Sequence, residues 1–257
     1  MPSQYPGVAL ITNAGNAVGL AVVQSFIEAG CTRIVVSTNS LESIRRLKAA
    51  IEGLALSADI VHGVQHNTEG DEGWENTMRA ASDAFGDIDY YVNCSELTPA
   101  LASPKPTLDL EPSIFSAALR DTSRELWLCC RAQLRQCTSQ LAGRKARTIV
   151  NIIPYGNFGT HPGHPALAAS SYGRIGMTKT FAKDHLGSEI RINAVCHALT
   201  RSQADDAPVL REHVEATGRL ITEAEVAKAV LFLAGDGSSG MTGVAMPVDG
   251  GWSLVHN

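Results

Sequence analysis

Residues 149–179, which read IVNIIPYGNFGTHPGHPALAASSYGRIGMTK, contain a few side chains that could transfer a proton. Two of them, His161 and His164, carry imidazoles that titrate near neutral pH and could serve as general bases. Their surroundings, Thr-His-Pro-Gly-His, are more typical of a turn. We therefore expect turn histidines here, with proton transfer as the alternative.

The six cysteines are the other reactive side chains of the sequence. No two of them have the Cys-x-x-Cys spacing, and none lies at a metal-ligand spacing from a histidine. We predict reduced and mostly buried thiols, without a metal site.

These residues must be positioned by an alternation of strand-like and helix-like segments. Short β-branched runs predict strands at residues 7–12, 33–38, 58–65, 88–93, 147–153, 190–196 and 243–249. Between most of them the apolar residues follow a helical period, as in VGLAVVQSFIEAG, and a helix over 223–235 precedes the last strand. The pattern predicts a single α/β domain over residues 1–257, a doubly wound parallel sheet with helices on both faces.

Composition and charge limit the function classes. The chain has 257 residues, of which 44% are hydrophobic and 18% charged, and can bury one sizeable core. Its formal net charge is -5 and its 21 Lys and Arg are scattered, so we expect no nucleic-acid partner. Without a basic and hydrophobic leader or an apolar run of about 18 residues, we expect a cytoplasmic protein with no membrane partner.

Four segments resemble the short-chain dehydrogenase/reductase family, in the family's order and at its intervals. They are ALITNAGNAVGLAVVQSF, AFGDIDYYVN, IRINAVC and MTGVAMPVDGGWS. The most specific is the last, in which Gly250, Gly251 and Trp252 match the family's closing turn. The resemblance covers nearly the whole chain and implies a Rossmann-like fold, a nicotinamide cofactor and oxidoreductase chemistry.

In that family, a TGxxxGxG loop lets the cofactor's pyrophosphate approach the backbone at a helix N-terminus. The matching loop here is Thr12, Asn13, Ala14, Gly15, Asn16, Ala17, Val18 and Gly19. Gly19 matches, whereas Asn13 and Ala17 replace the other two glycines, and a Cβ at such positions weakens binding. A weakened cofactor site and a turn that merely packs both remain open.

The resemblance identifies other positions that should contact the cofactor. Thr38, followed by Asn39, replaces an acidic residue that would hold a ribose, and His66 replaces an aspartate that would face the adenine. Asn93 matches the family, but Glu96 brings a carboxylate to the path of the cofactor. We therefore expect weak NAD(P) binding or none.

The resemblance also implies where the catalytic serine, tyrosine and lysine should lie. With NII and IRINAV as anchors, Pro154 aligns with the serine, Leu167 with the tyrosine and Ser171 with the lysine. The family's spacings of thirteen and four residues are met without an insertion. Thr122 aligns with an asparagine that supports a proton relay in many members. Since none of the first three can transfer a proton as required, the alignment indicates a degenerate member.

Tyr172 offers another register, because Ser-Ser-Tyr-Gly resembles the start of the family's tyrosine motif. Its fourth following residue is Gly176, however, and the serine position would move to Gly159. A helix-surface or interface aromatic is the favoured interpretation. Halohydrin dehalogenases, a branch of the family, keep Ser and Tyr with Arg for Lys, a pattern that Arg174, two residues after Tyr172, does not match.

Three functions follow as hypotheses. The first is a non-catalytic subunit in a hetero-oligomer with an active family member, assembled through helices within residues 112–138 and 167–186. The second is an enzyme repurposed to cofactor-independent chemistry, with His197 as its base and Tyr155 and Glu96 nearby by alignment. A backbone-bonded loop histidine is the favoured interpretation of His197. The third is a metabolite-binding module.

Overall fold

The computed structural model describes residues 4–67, 71–95, 104–139, 146–154, 162–204 and 218–254. Its strands are β1 (Ala9–Thr12), β2 (Ile34–Thr38), β3 (Val61–Gln65), β4 (Tyr90–Asn93), β5 (Arg147–Pro154), β6 (Ile190–His197) and β7 (Ala245–Val248). They form one parallel sheet in the order β3-β2-β1-β4-β5-β6-β7. Each strand lies within a predicted run or extends it by one residue, so the predicted sheet is confirmed.

The helices are α1 (Ala17–Glu28), α2 (Leu41–Gly53), α3 (Asp71–Phe85), α4 (Pro112–Leu119), α5 (Glu125–Ser139), α6 (Pro165–Asp184), α7 (Arg201–Ala204) and α8 (Glu223–Ala234). A π-helical segment, Arg120–Arg124, joins α4 to α5. No helix in the described ranges combines the length and apolarity needed to cross a bilayer.

Each face of the sheet carries its own hydrophobic core, because successive strand residues point to opposite faces. In β1, Ala9 and Ile11 belong to one core and Leu10 belongs to the other. The first core receives side chains mainly from α1, α2 and α8, and the second mainly from α3 and α5. Helices therefore cover both faces, as predicted.

A buried network of amide and hydroxyl groups joins the centre of the sheet to two helices. Asn93 Nδ2 donates to Gln133 Oε1 and to Asn151 Oδ1, at 2.9 Å each. Gln133 Nε2 donates back to Asn93 Oδ1 at 2.6 Å, and the Thr12 hydroxyl donates to the same oxygen at 3.0 Å. Asn151 Nδ2 donates to Thr178 Oγ1 at 3.0 Å. The network thereby ties β1, β4 and β5 to α5 and α6.

All six cysteines are buried and none forms a disulfide, as predicted for buried thiols. Burial raises the pKa of Cys196 to about 12 and that of Cys137 to about 11. These two thiols are therefore protonated at neutral pH and are poor nucleophiles.

We predict that Gln133→Leu lowers the free energy of unfolding by about 2 to 3 kcal/mol, because Asn93 would lose both a donor and an acceptor inside the core. Urea unfolding measures this loss. The control is Ser139→Ala at the exposed end of α5, which should change the stability by less than about 0.5 kcal/mol. A Gln133→Leu variant as stable as the unaltered chain would contradict a structural role of the network.

Candidate functional site

A cavity of about 210 Å³ lies at the carboxyl ends of β1, β4 and β5. The strand order reverses between β1 and β4, and ligands of doubly wound sheets bind at such a reversal. The residues that decide its chemistry are Thr12, Asn13, His66, Trp74, Ser95 and Arg174. This cavity is the candidate site.

The loop between β1 and α1 keeps the shape of a dinucleotide loop although two of the expected glycines are absent. Asn13 adopts the left-handed conformation with φ 51°, which asparagine tolerates better than most residues. A Cβ on Gly19 would lie 2.6 Å from Ala14 Cα, so the packing of α1 requires glycine there. Asn16 caps α1 by accepting the Gly19 N–H at 2.7 Å. Ala17, the first residue of α1, is exposed, so its Cβ lies at the solvent-accessible N-terminus of the helix.

The two residues expected to contact the ribose and the adenine of a cofactor, Thr38 and His66, carry no carboxylate. Thr38 is buried, and its hydroxyl donates to the Ser40 carbonyl at 2.7 Å. The His66 ring stacks on Trp74 with centroids 4.8 Å apart, and its Nδ1 lies 3.1 Å from Ser37 Oγ. Burial lowers the pKa of His66 to about 4, so this imidazole is neutral at physiological pH.

The positions aligned with the catalytic residues are packed into the protein interior. Leu167 is 2% exposed and belongs to a small apolar cluster with Leu199. The Ser171 hydroxyl donates to the Pro154 carbonyl at 3.0 Å. None of these three aligned residues, Pro154, Leu167 and Ser171, borders the cavity.

Thr122, aligned with the relay asparagine, does border the cavity. Its hydroxyl donates to the Ala118 carbonyl at 2.7 Å, and its oxygen lies 2.7 Å from Ser170 Oγ. Thr122 lies within the π-helical segment, where the wider backbone turn accommodates this side-chain contact to α6.

Asn93 also borders the cavity, but its amide is engaged in the buried network. Both Nδ2 hydrogens are donated within the protein, so Asn93 positions the strand ends. Its expected contact with a cofactor remains a prediction, without a free donor to support it.

Arg174, like Trp74 and Glu125, borders the cavity although the sequence did not predict it there. It is 1% exposed, its Nη1 donates to the Ser95 hydroxyl, and its Nε donates to the Ser170 carbonyl at 3.4 Å. The sequence carried a signal, because positions 167, 171, 174 and 178 share one helix face.

The candidate histidines that the structure describes, His164 and His197, hydrogen-bond to backbone carbonyl groups, in agreement with the favoured interpretation of each. His197 ends β6, is fully buried, and donates from Nδ1 to the Ala198 carbonyl at 2.8 Å. Burial lowers its pKa to about 4, and it does not border the cavity. His164 lies in the expected turn before α6, with Nδ1 3.0 Å from the Pro162 carbonyl. Tyr155, His161 and Glu96 lie outside the described residues.

Tyr172 lies on the surface of α6 with 44% of its area exposed, as the surface interpretation predicts. It does not border the cavity, whereas Arg174 on the same helix does. The alternative tyrosine register therefore has no support in the site geometry.

A nicotinamide dinucleotide fits this site only in part. The loop shape and the start of α1 match a pyrophosphate position, since Asn13 and Gly19 conserve the turn and its packing. Thr38 is bonded to its own loop, and His66 supplies a neutral ring in place of a carboxylate. These residues do not provide the contacts expected for tight binding.

Comparisons with known proteins agree with this architecture. A family model described as enoyl-(acyl carrier protein) reductase matches residues 13–253. The chain is 32% identical to 2-(R)-hydroxypropyl-CoM dehydrogenase of Xanthobacter autotrophicus, over 96% of this chain and 99% of that protein. It is 30% identical to a 3-oxoacyl-[acyl-carrier-protein] reductase of Thermotoga maritima, over 95% and 96% of the two chains.

Among solved structures, a 3-ketoacyl-(acyl-carrier-protein) reductase from Brucella melitensis, complexed with NADH, superposes with a TM-score of 0.85. The match covers 98% of this chain and 100% of that one at 24% identity, which supports the fold. The family model and the relatives of at least 30% identity extend over almost all of the sequence. The chain therefore belongs to the short-chain dehydrogenase/reductase family.

Proposed function

We propose that this chain is a non-catalytic member of its family and acts as the supporting subunit of a hetero-oligomer with an active dehydrogenase or reductase. The relatives named above as a dehydrogenase and a reductase indicate the reaction class of such a partner. Within the family, 2-[hydroxy(phenyl)methyl]succinyl-CoA dehydrogenase, with its two unequal subunits, is the model for this arrangement.

The proposal rests on the three positions that align with the family's proton-transfer residues. Here they are occupied by side chains that cannot transfer a proton as required. Leu167 has no ionisable group, and Ser171 directs its hydroxyl to the Pro154 carbonyl. Pro154 has no side-chain donor. Among the described residues that line the cavity, none is a tyrosine or a lysine, the two residue types that supply the proton relay in this family.

A surface suited to assembly is formed by α6 and the segment before α5. A Cβ on Gly173 would lie 3.9 Å from Ser123 Oγ, so the two elements approach closely there. Trp127, one turn after Ser123, is 42% exposed, and Tyr172 is 44% exposed beside Gly173. Exposed aromatic side chains next to small residues favour a helix-to-helix interface.

The alternatives differ in their support. A repurposed enzyme with His197 as its base is less favoured, because that ring is fully buried and does not border the cavity. A metabolite-binding module is supported by the cavity and the buried guanidinium of Arg174. Binding and assembly are compatible roles for one chain.

Residual cofactor binding is the expectation that we retain. The Brucella relative is complexed with NADH, and the loop between β1 and α1 keeps the turn and packing of a dinucleotide loop. We therefore propose weak NAD(P) binding rather than its complete absence.

The chain alone should show no turnover of simple ketones or alcohols with NAD(H) or NADP(H), because loss of one general acid or base already slows catalysis by about 100- to 10,000-fold. Absorbance of the reduced nicotinamide measures this, with the Thermotoga reductase as the positive control. The double variant Leu167→Tyr and Ser171→Lys should remain inactive, since the altered loop persists. Turnover by the unaltered chain would overturn the proposal.

Ala17→Gly should strengthen NAD(H) binding about tenfold, equivalent to about 1.4 kcal/mol, because it removes a Cβ at the expected approach of the pyrophosphate. Calorimetric titration measures the affinities of both proteins. Ala21→Gly, one turn further along α1, is the control for the general effect of glycine in a helix. Equal affinities of the Ala17→Gly variant and the unaltered chain would mean that this methyl group does not limit binding.

Co-expression with active family members of the same genome should give a co-eluting complex whose activity depends on the partner's tyrosine and lysine. Replacing Trp127 and Tyr172 together by glutamate should abolish co-elution, because charges would be buried in the interface. Leu41→Glu, at a similarly exposed position on α2, should leave co-elution unchanged. A stable homo-oligomer that ignores every active relative would contradict the subunit role.

A further inference from the structure

The cavity contains an electrostatic imbalance centred on Arg174. Burial lowers the pKa of its guanidinium to about 10, opposed by smaller effects of Cys196 and Glu125. The group is therefore still charged at neutral pH. No carboxylate among the described residues lies within ion-pair distance of it, and its Nη2 has no hydrogen-bond partner. A buried charge without an ion-pair partner is unfavourable, so a bound anion would stabilise the site.

Two further residues that line the cavity, His66 and Trp74, each carry a buried ring nitrogen without a hydrogen-bond partner among the described residues, namely Nε2 and Nε1. Buried polar groups in native proteins are nearly always satisfied, and exceptions mark places where a ligand or water binds. With Arg174, three residues that line one cavity each carry such an atom. Their convergence indicates a polar ligand.

We propose that this cavity binds a small carboxylate, with the carboxylate oxygens paired to Nη1 and Nη2 of Arg174. A planar guanidinium matches the two oxygens of a carboxylate in a bidentate pair. The remainder of the ligand contacts Leu126, Ile152 and the ring of Trp74, which give the cavity its apolar walls.

The charges around the cavity favour a monoanion over a phosphate. Arg174 is the only cation among the described residues that border the cavity, whereas Asp121 and Glu125 bring carboxylates to it. A dianion would meet repulsion that one guanidinium does not offset. The volume of about 210 Å³ suits a benzoate-sized acid, because a cavity of about 150 Å³ holds a benzene ring in another protein.

The proposed site does not depend on the subunit role or on a nicotinamide cofactor. Calorimetric titration of the full chain with benzoate, in cofactor-free buffer, should show one site per chain. Benzamide, a neutral analogue of the same shape, should bind at least about tenfold more weakly, because it lacks the charge-assisted pair. Inorganic phosphate should bind more weakly than benzoate.

The decisive variant is Arg174→Met, which keeps the length of the side chain and removes its charge. It should weaken benzoate binding by about 10- to 100-fold, the effect expected from losing hydrogen bonds to a charged group. Lys179→Gln, at an exposed position of α6, is the matched control and should bind as the unaltered chain does. Thermal unfolding checks that each variant is folded. If the methionine variant does not fold, Arg174→Lys should bind benzoate more weakly than the unaltered chain, because it keeps the charge without the bidentate fork.

Three outcomes would overturn the proposal. The first is benzoate binding that is absent or unchanged by either Arg174 substitution. The second is phosphate bound more tightly than benzoate, which would contradict a carboxylate ligand. The third is benzoate binding only after Glu96→Gln, which would indicate that a carboxylate of the chain itself pairs with the arginine.

Discussion

The reciprocal amide pair of Asn93 and Gln133 is the constraint on which the site depends. Each side chain donates a hydrogen bond to the other, and Asn93 also donates to Asn151. Strands β4 and β5 and helix α5 are thereby held in fixed relative positions. Inside a core, such groups must be satisfied together, because one unmatched partner leaves a desolvated donor or acceptor. The carboxyl ends of the central strands, and with them the cavity, therefore have a defined geometry.

This constraint is separate from the residues that perform catalysis in the family. The amide network includes Thr12, Asn151 and Thr178, but none of the aligned catalytic positions. At those positions Leu167 joins an apolar cluster and Ser171 bonds to the Pro154 carbonyl. Local packing at the aligned positions is thus satisfied by side chains that transfer no proton, and the fold does not require the family's catalytic groups there.

The sequence was sufficient to predict the sheet because parallel strands are buried on both faces and appear as continuous β-branched runs. Strand ends differed by up to three residues, since hydrogen bonding within and beyond the apolar run decides where pairing starts and stops. The amide network was not predicted. Asn93 was identified through its family role as a cofactor contact, and nothing local indicates that Gln133, forty residues away along the chain, pairs with it.

Arg174 was missed for a different reason, because an arginine is normally expected on a solvated helix face. Ser171, where the family has its lysine, lies on the same face of α6 as Arg174. Three residues advance a helix by about 4.5 Å, so a cation is present in this crevice but further along α6 than in an active member. The position aligned with the phenol is occupied by Leu167, so the guanidinium has no phenol to act on there, yet its charge still acts on the cavity. Among the described residues that border the cavity, Arg174 is therefore the cation available to a bound carboxylate, whether or not a dinucleotide also binds.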